Sequence, residues 1–167
     1  MLYEGESDVL DHVVDFYKKI YQGLESWRPT IDGLEFDCLD ETERLSLERD
    51  FEEEEILEAL KEAEGDEAPG LDGFTMAFFQ KCWSVVERDV MAFFADFHRH
   101  GIFEKSLNAM FLCLIPKMVN AISIKDFHPI SLVGSLYKLL AKVLAHRLRG
   151  VLDKFVFDSQ NSFVGGR

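Results

Sequence analysis

The sequence predicts an α+β chain that is predominantly helical, with a few short strands. Three observations lead there. Apolar residues recur at three- and four-residue spacing through several long stretches, the pattern of amphipathic helices. One uninterrupted apolar run, residues 109–115, is closed by Pro116 and has the length of a strand. Hydrophobic residues make up 47% of the 167 and aromatic ones 13%, ample for the core of one domain or of part of a larger one.

Ser7 is placed to cap a first helix whose apolar face is Val9, Leu10, Val13, Val14, Tyr17, Ile20 and Tyr21, ending at Gln22-Gly23. Residues 27–40 contain Pro29 and an Asp32-Gly33 turn signal and keep no period, so they read as a loop. Residues 41–64 read as helix in two pieces broken around Asp50-Phe51, with Ile56, Leu57, Leu60 and Ala63 inward and Gly65 as the stop. The acidic run Glu52-Glu53-Glu54-Glu55 falls in a first turn, where the helix dipole favours carboxylates. Residues 76–100 carry Phe78, Phe79, Trp83, Val86, Val90, Phe93, Phe94 and Phe97 at helical spacing, which is core patterning. Residues 108–115 are the best strand, with 122–127 as its expected partner. Residues 135–152 close the pattern as a helix with Leu136, Leu140, Val143, Leu144, Leu148 and Val151 inward and Gly150 weakening its end.

Composition narrows the classes of function. The longest apolar run is far shorter than the roughly 20 residues of a membrane span, and the first residues lack a basic and then apolar leader. An intracellular protein, nuclear or cytoplasmic, with no membrane partner is expected. Cys38, Cys82 and Cys113 are odd in number and widely spaced, so reduced structural cysteines are expected, with Cys113 acting as a small hydrophobe. The net charge of -13 conceals two halves: residues 1–67 hold 23 acidic to 6 basic side chains, and 68–167 hold 8 to 12. Contact with nucleic acid, if made, belongs to the basic back, because phosphate neutralisation needs clustered cations.

Five phrases stand out, one of them Tyr-Lys-Leu-Leu-Ala-Lys-Val-Leu-Ala-His-Arg-Leu at 137–148. Taken alone, residues 68–74, Ala-Pro-Gly-Leu-Asp-Gly-Phe, are a tight turn in which Pro69 fixes φ and Gly70 and Gly73 tolerate positive φ, and Leu-Ile-Pro-Lys at 114–117 is a buried strand ending in a solvated lysine. Asp-Phe-His-Pro-Ile-Ser-Leu follows at 126–132, and Gln-Asn-Ser-Phe-Val-Gly-Gly-Arg at 160–167. In this order the phrases resemble the opening segment of the reverse transcriptase of non-LTR (long interspersed element type) retrotransposons, in the form abundant in flowering plants. The resemblance rests on Pro69, Gly70, Asp72, Gly73, Pro129, Ser131, Gln160, Phe163 and Gly165 as structural motif positions.

The resemblance implies a fold and roles. The fold would be an incomplete fingers and palm, with 1–67 as an acidic helical lead-in and 68–167 running from the fingers into the early palm. Lys117 would meet the incoming nucleotide's triphosphate, where a cation neutralises charge that grows during phosphoryl transfer. His128 stands where the family writes arginine, and Lys138, Lys142 and Arg147 on the last helix would follow the template backbone, with Arg167 near template or nucleotide. Partners in the parent family are an RNA template and an RNA/DNA hybrid. Three departures matter. Glu67 replaces a lysine and reverses a charge, Leu71 replaces a second proline, and His128 exchanges arginine's fixed five-donor fork for an imidazole ring with two nitrogens.

Polymerisation is a two-metal reaction held by carboxylates, which the family supplies as an aspartate and an Asp-Asp pair beyond the Gly-Arg phrase. No Asp-Asp dipeptide occurs in the 167 residues. The expectation is therefore a truncated, degenerate reverse transcriptase fragment without catalytic residues or a metal site. It would be inactive alone and bind no cofactor, whereas the intact family enzyme uses magnesium. The alternative is a non-enzymatic helical interaction module with weak RNA binding. His98 and His100, two apart on a helix, point to different sides and read as a solvated helix end rather than a metal pair.

Overall fold

The structure, a computed structural model, describes residues 5–22, 30, 32–33 and 38–152. In chain order these form α1 (Glu6–Tyr21), α2 (Glu41–Glu48), α3 (Glu53–Lys61), α4 (Met76–Lys81), α5 (Trp83–His100), β1 (Phe111–Pro116), a 3-10 turn (Ile124–Asp126), β2 (Phe127–Leu132) and α6 (Ser135–Leu152). The strands pair with each other as a two-stranded antiparallel sheet. The fold class is α+β, predominantly helical. Two compact units partition the chain, one of Met1–Phe36 and Pro116–His128 and one of Asp37–Ile115 and Pro129–Arg167.

In the first unit α1 begins one residue before the expected cap. Gly5 takes the N-cap position and no side chain caps the helix, so Ser7 lies inside the first turn. Tyr17 is buried, whereas Val9, Leu10, Val14, Ile20 and Tyr21 remain exposed, so much of the apolar face the sequence draws is open.

The second unit holds the core. Ile56, Ala59 and Leu60 of α3, Met76 and Phe79 of α4, Val90 and Phe94 of α5, and Leu139, Leu140 and Val143 of α6 are buried against one another. Their three- and four-residue spacing puts each set on one helix face. Phe94 and Ile56 are fully buried, and burial of a side chain of that size stabilises by about 1.5–3 kcal/mol. Ala59 and Leu139 are core members that the periodicity did not single out, and Leu148, expected inward, is exposed.

Local signals set the helix ends. Asp40 Oδ1 accepts the Glu43 N–H at 2.8 Å while Glu43 Oε2 accepts the Asp40 N–H at 2.9 Å, a reciprocal box that starts α2. The break expected near Asp50-Phe51 is present between α2 and α3. α3 stops at Lys61, before Gly65, and Gln80 of α4 donates to Leu60 O in its last turn at 2.9 Å and to Ala63 O just beyond it at 2.8 Å. The helix expected over 76–100 is two helices, since Cys82 leaves helical geometry at φ -106 and ψ 17. Gly101, at φ +63, closes α5 with its N–H on Phe97 O. α6 runs over the expected residues, straight through Gly150.

The second strand departs from expectation. Residues 124–126 form the 3-10 turn, and the partner of β1 is 127–132, which contains Pro129. Proline lacks an N–H and survives where that group faces solvent on an edge, and both strands of a two-stranded sheet are edges. With no further layer described over the sheet, Cys113 is exposed rather than buried.

Candidate functional site

The phrases at 68–74 and 126–132 are far apart in sequence, and in the second unit the backbone joins the first to the end of the second. Gly70 lies against residues 133–134 so closely that a Cβ on it would sit 2.5 Å from Gly134 N and 2.7 Å from Val133 C. No other residue fits there without moving backbone. The Gly73 N–H closes the turn on Gly70 O at 3.1 Å with Gly73 at φ +71, and Asp72 Oδ1 accepts the Phe74 N–H at 3.2 Å. Ser135, buried at the first turn of α6, donates its hydroxyl to Phe74 O at 2.7 Å. The turn is thereby locked to the start of α6. Pro69 is half-buried, and Leu71, which replaces the family's proline, is exposed.

α6 carries three of the expected contact cations, and each meets the acidic front of the chain. Lys138 Nζ lies 2.8 Å from Glu67 Oε2 and 3.3 Å from Ala68 O. Lys142 Nζ donates to Glu62 O at 2.9 Å and lies 3.6 Å from its carboxylate, which also takes His146 Nε2 at 3.1 Å. A cavity of about 520 Å³, floored by Met76, Val133, Tyr137 and Ala141, opens beside these pairs.

Arg147 is the extreme case. Its side chain is 6% exposed, and all five donors are engaged within the chain. Nε reaches Glu55 Oε2 at 3.0 Å and Nη2 reaches Glu55 Oε1 at 2.5 Å. Nη1 holds Leu47 O at 3.1 Å and Arg49 O at 2.7 Å, Nη2 also holds Asp50 O at 2.9 Å, and the guanidinium lies 4.1 Å from the Phe51 ring centroid. Burial would raise the Glu55 carboxyl pKa, but hydrogen bonds from Arg147 and the Glu52 N–H, with the charges of Arg147 and Arg49, outweigh it and hold the group below its ordinary 4.5. Arg147 thus ties α6 to the α2–α3 connection. To follow a nucleic-acid backbone it would have to surrender five hydrogen bonds.

His98 binds the same connection from α5, with Nδ1 at 2.9 Å from Asp50 Oδ1 and Nε2 at 2.8 Å from Glu48 O. Sequence reading gave it a solvated helix end; instead it braces a loop. The only signal was its place in the apolar register of Phe94 and Phe97. Gln80, which satisfies two carbonyls at the end of α3, carried no signal at all.

Lys117 and His128 both belong to the β1–β2 hairpin, and both are exposed. The Lys117 N–H donates to Asp126 O at 2.7 Å, which sets the register and places His128 two residues along the partner strand. Lys117 Nζ rests on Lys125 O at 2.8 Å. Pro129 and Ser131 are exposed on β2. Gln160, Phe163, Gly165 and Arg167 lie outside the described residues. Among the described residues no group of three or more His, Cys, Asp or Glu is arranged to hold a metal, and no helix is long and apolar enough to cross a membrane.

No family model matches the chain. Over 168 aligned residues, 98% of the chain, it is 28% identical to the transposon TX1 uncharacterized 149 kDa protein of Xenopus laevis, and it spans 13% of that protein's length. A similarity that runs from end to end, rather than over one short motif, supports an origin of this chain in a transposable element.

Proposed function

We propose that the chain is the fingers and early-palm portion of a non-LTR retrotransposon reverse transcriptase, and that as a 167-residue protein it binds nucleic acid without polymerising it. The observation that carries this reading is the end-to-end similarity to a transposon protein together with the ordered phrases. The plant-like character rests on the phrases alone, since the relative is an amphibian element. The meeting of Gly70 with Gly134 supports the reading further, since it gives the 68–74 turn and the end of the Pro-Ile-Ser-Leu phrase one shared purpose, seating α6 beside the hairpin strand.

Within this reading Lys117 offers the cation for a nucleotide triphosphate, and His128 offers a weaker one than arginine. Lys138 and Lys142 are available to a template only when they leave Glu67 and Glu62. In the resembled family the carboxylates for the two metal ions lie C-terminal to the matching segment, and magnesium belongs to the assembled site. The test has two arms. Purified chain should bind RNA with an affinity that falls steeply with salt. It should incorporate no nucleotide on a primed RNA template with magnesium. Salt-independent binding, or incorporation, overturns the reading.

A further inference from the structure

α1 leaves most of its apolar residues open to solvent, and they are not scattered. Leu10, Val14, Tyr17 and Tyr21 follow one another at steps of four, three and four residues, the spacing of a coiled-coil seam. Leu10 is 59% exposed, Val14 40% and Tyr21 72%. Tyr17 is the buried member. Its ring stacks on that of Tyr21 with centroids 6.5 Å apart and meets Phe16 edge-on at 5.2 Å. An exposed ring already held in this way gives up little conformational freedom when a partner covers it.

The charges beside the seam have a direction. Asp11 follows Leu10 and Lys18 follows Tyr17, so both flank the same side of the stripe. Asp8 and Asp15 join Asp11 in the earlier turns, whereas Lys18 and Lys19 hold the last one, and all five side chains are exposed. When one copy of such a helix is reversed against another, each acidic stretch meets a basic end and the helix dipoles run opposite. Flanking residues of this class set the orientation of paired helices. In the antiparallel pair Asp11 of each copy lies opposite Lys18 of the other, a reciprocity that a two-fold axis requires. A parallel pair instead sets Asp11 level with Asp11 and Lys18 level with Lys18.

We infer that α1 is a homodimerisation helix, packed antiparallel against α1 of a second copy of this chain about a two-fold axis near residues 14–17. Leu10 of one copy covers Tyr21 of the other, the two Val14 side chains meet near the axis, and two Asp11–Lys18 pairs close one side. The charge pattern names the occupant, because it is complementary to itself. Two heptads bury a small area, so the dimer is weak and its population follows protein concentration. The contact uses none of the residues assigned to nucleic acid and stands or falls apart from that reading.

The test is sedimentation velocity of the 167-residue chain from about 1 to about 200 μM, the range of a weak, small interface. The parent should pass from monomer toward dimer across this range. L10S/Y21S should remain monomeric throughout. D11K alone and K18E alone should each weaken association roughly tenfold, since two flanking pairs turn from attraction to repulsion. An equimolar mixture of D11K and K18E should recover a dimer, because every flanking pair is then again of opposite sign. The changed side chains are exposed, so an unchanged far-UV spectrum verifies the fold. A parent that stays monomeric at the highest concentration overturns the proposal and leaves the stripe to another occupant. A dimer that survives L10S/Y21S is formed elsewhere on the chain and overturns it equally. Association lost in L10S/Y21S but indifferent to D11K and K18E, or not recovered in the mixture, overturns the antiparallel arrangement.

Discussion

The Glu55 carboxylate receives Arg147 at two points, Nε on Oε2 at 3.0 Å and Nη2 on Oε1 at 2.5 Å, across 92 residues of sequence. The remaining guanidinium protons hold the carbonyls of Leu47, Arg49 and Asp50. One side chain therefore satisfies the end of α2 and the start of α3 at once. Without it three carbonyls lose this donor and a largely buried carboxylate keeps only the Glu52 N–H and Arg49. R147A should destabilise the chain by about 3–5 kcal/mol, as for a broken buried pair. R147K should recover less than half, because an ammonium has three donors and no planar fork. Urea titration of both variants and of E55Q in a double-mutant cycle gives the coupling; additivity within a few tenths of a kcal/mol contradicts the bridge.

The same bridge sets an acid limit. Burial works to raise the Glu55 carboxyl pKa, and Arg147, the Glu52 N–H and Arg49 outweigh it, so the folded value lies below the ordinary 4.5. A depressed folded pKa means the unfolded chain binds the proton more readily, so stability rises with pH across that window. The contribution is complete above about pH 5 and lost as pH falls through 4.5 toward the folded value. Urea midpoints measured between pH 6 and 3 should show this loss in the parent and a shallower dependence in E55Q. A parent midpoint that does not move below pH 5 contradicts it.

Much of the helical frame was legible because the apolar period is local. α6, the break near Asp50 and the α5 core face follow from spacing and breakers within a few residues. β2 was placed too early; Pro129 is tolerated within 127–132 because, among the described residues, both strands of the sheet are edges. The pairing of the acidic front with α6 was not legible either. A charge count separates Glu62 and Glu67 from Lys138 and Lys142 but says nothing of their distance. Arg147 looks the same in sequence whether its guanidinium is buried or solvated. Gly70 was recognised as a turn glycine; its second constraint, contact with Gly134, lies in tertiary structure.

That constraint predicts a sharp size limit. G70A places a methyl carbon 2.5 Å from Gly134 N, and the atoms it meets are backbone with no rotamer to change. Residues 133–134 must retreat, which draws Ser135 from Phe74 O. A destabilisation of about 1–3 kcal/mol is expected, as for overpacking. S135A alone should lose about 1 kcal/mol, and the double variant less than the sum, since both disturb one junction. Thermal or urea melts decide; G70A with parental stability contradicts the close approach.

Charge reversal at the front of the chain tests whether its acids mask α6. Glu67 sits on Lys138 and Glu62 on Lys142 and His146, all at exposed or half-exposed positions. Such pairs contribute little to stability, about 0–1 kcal/mol each, so E62Q/E67Q should leave the melt nearly unchanged. Their effect on a polyanion is larger, because each carboxylate cancels a cation at contact distance. Removing both should tighten RNA binding and steepen its salt dependence by up to about 1.4 in log–log slope, two further phosphate contacts on a single strand. E67K, which restores the lysine of the resembled family, should tighten it further. K138Q/K142Q in the same background should cancel the gain, which separates unmasked α6 cations from a general reduction of negative charge. If E62Q/E67Q tightens binding equally with and without Lys138 and Lys142, the pairs are surface decoration and the hairpin cations carry the contact alone.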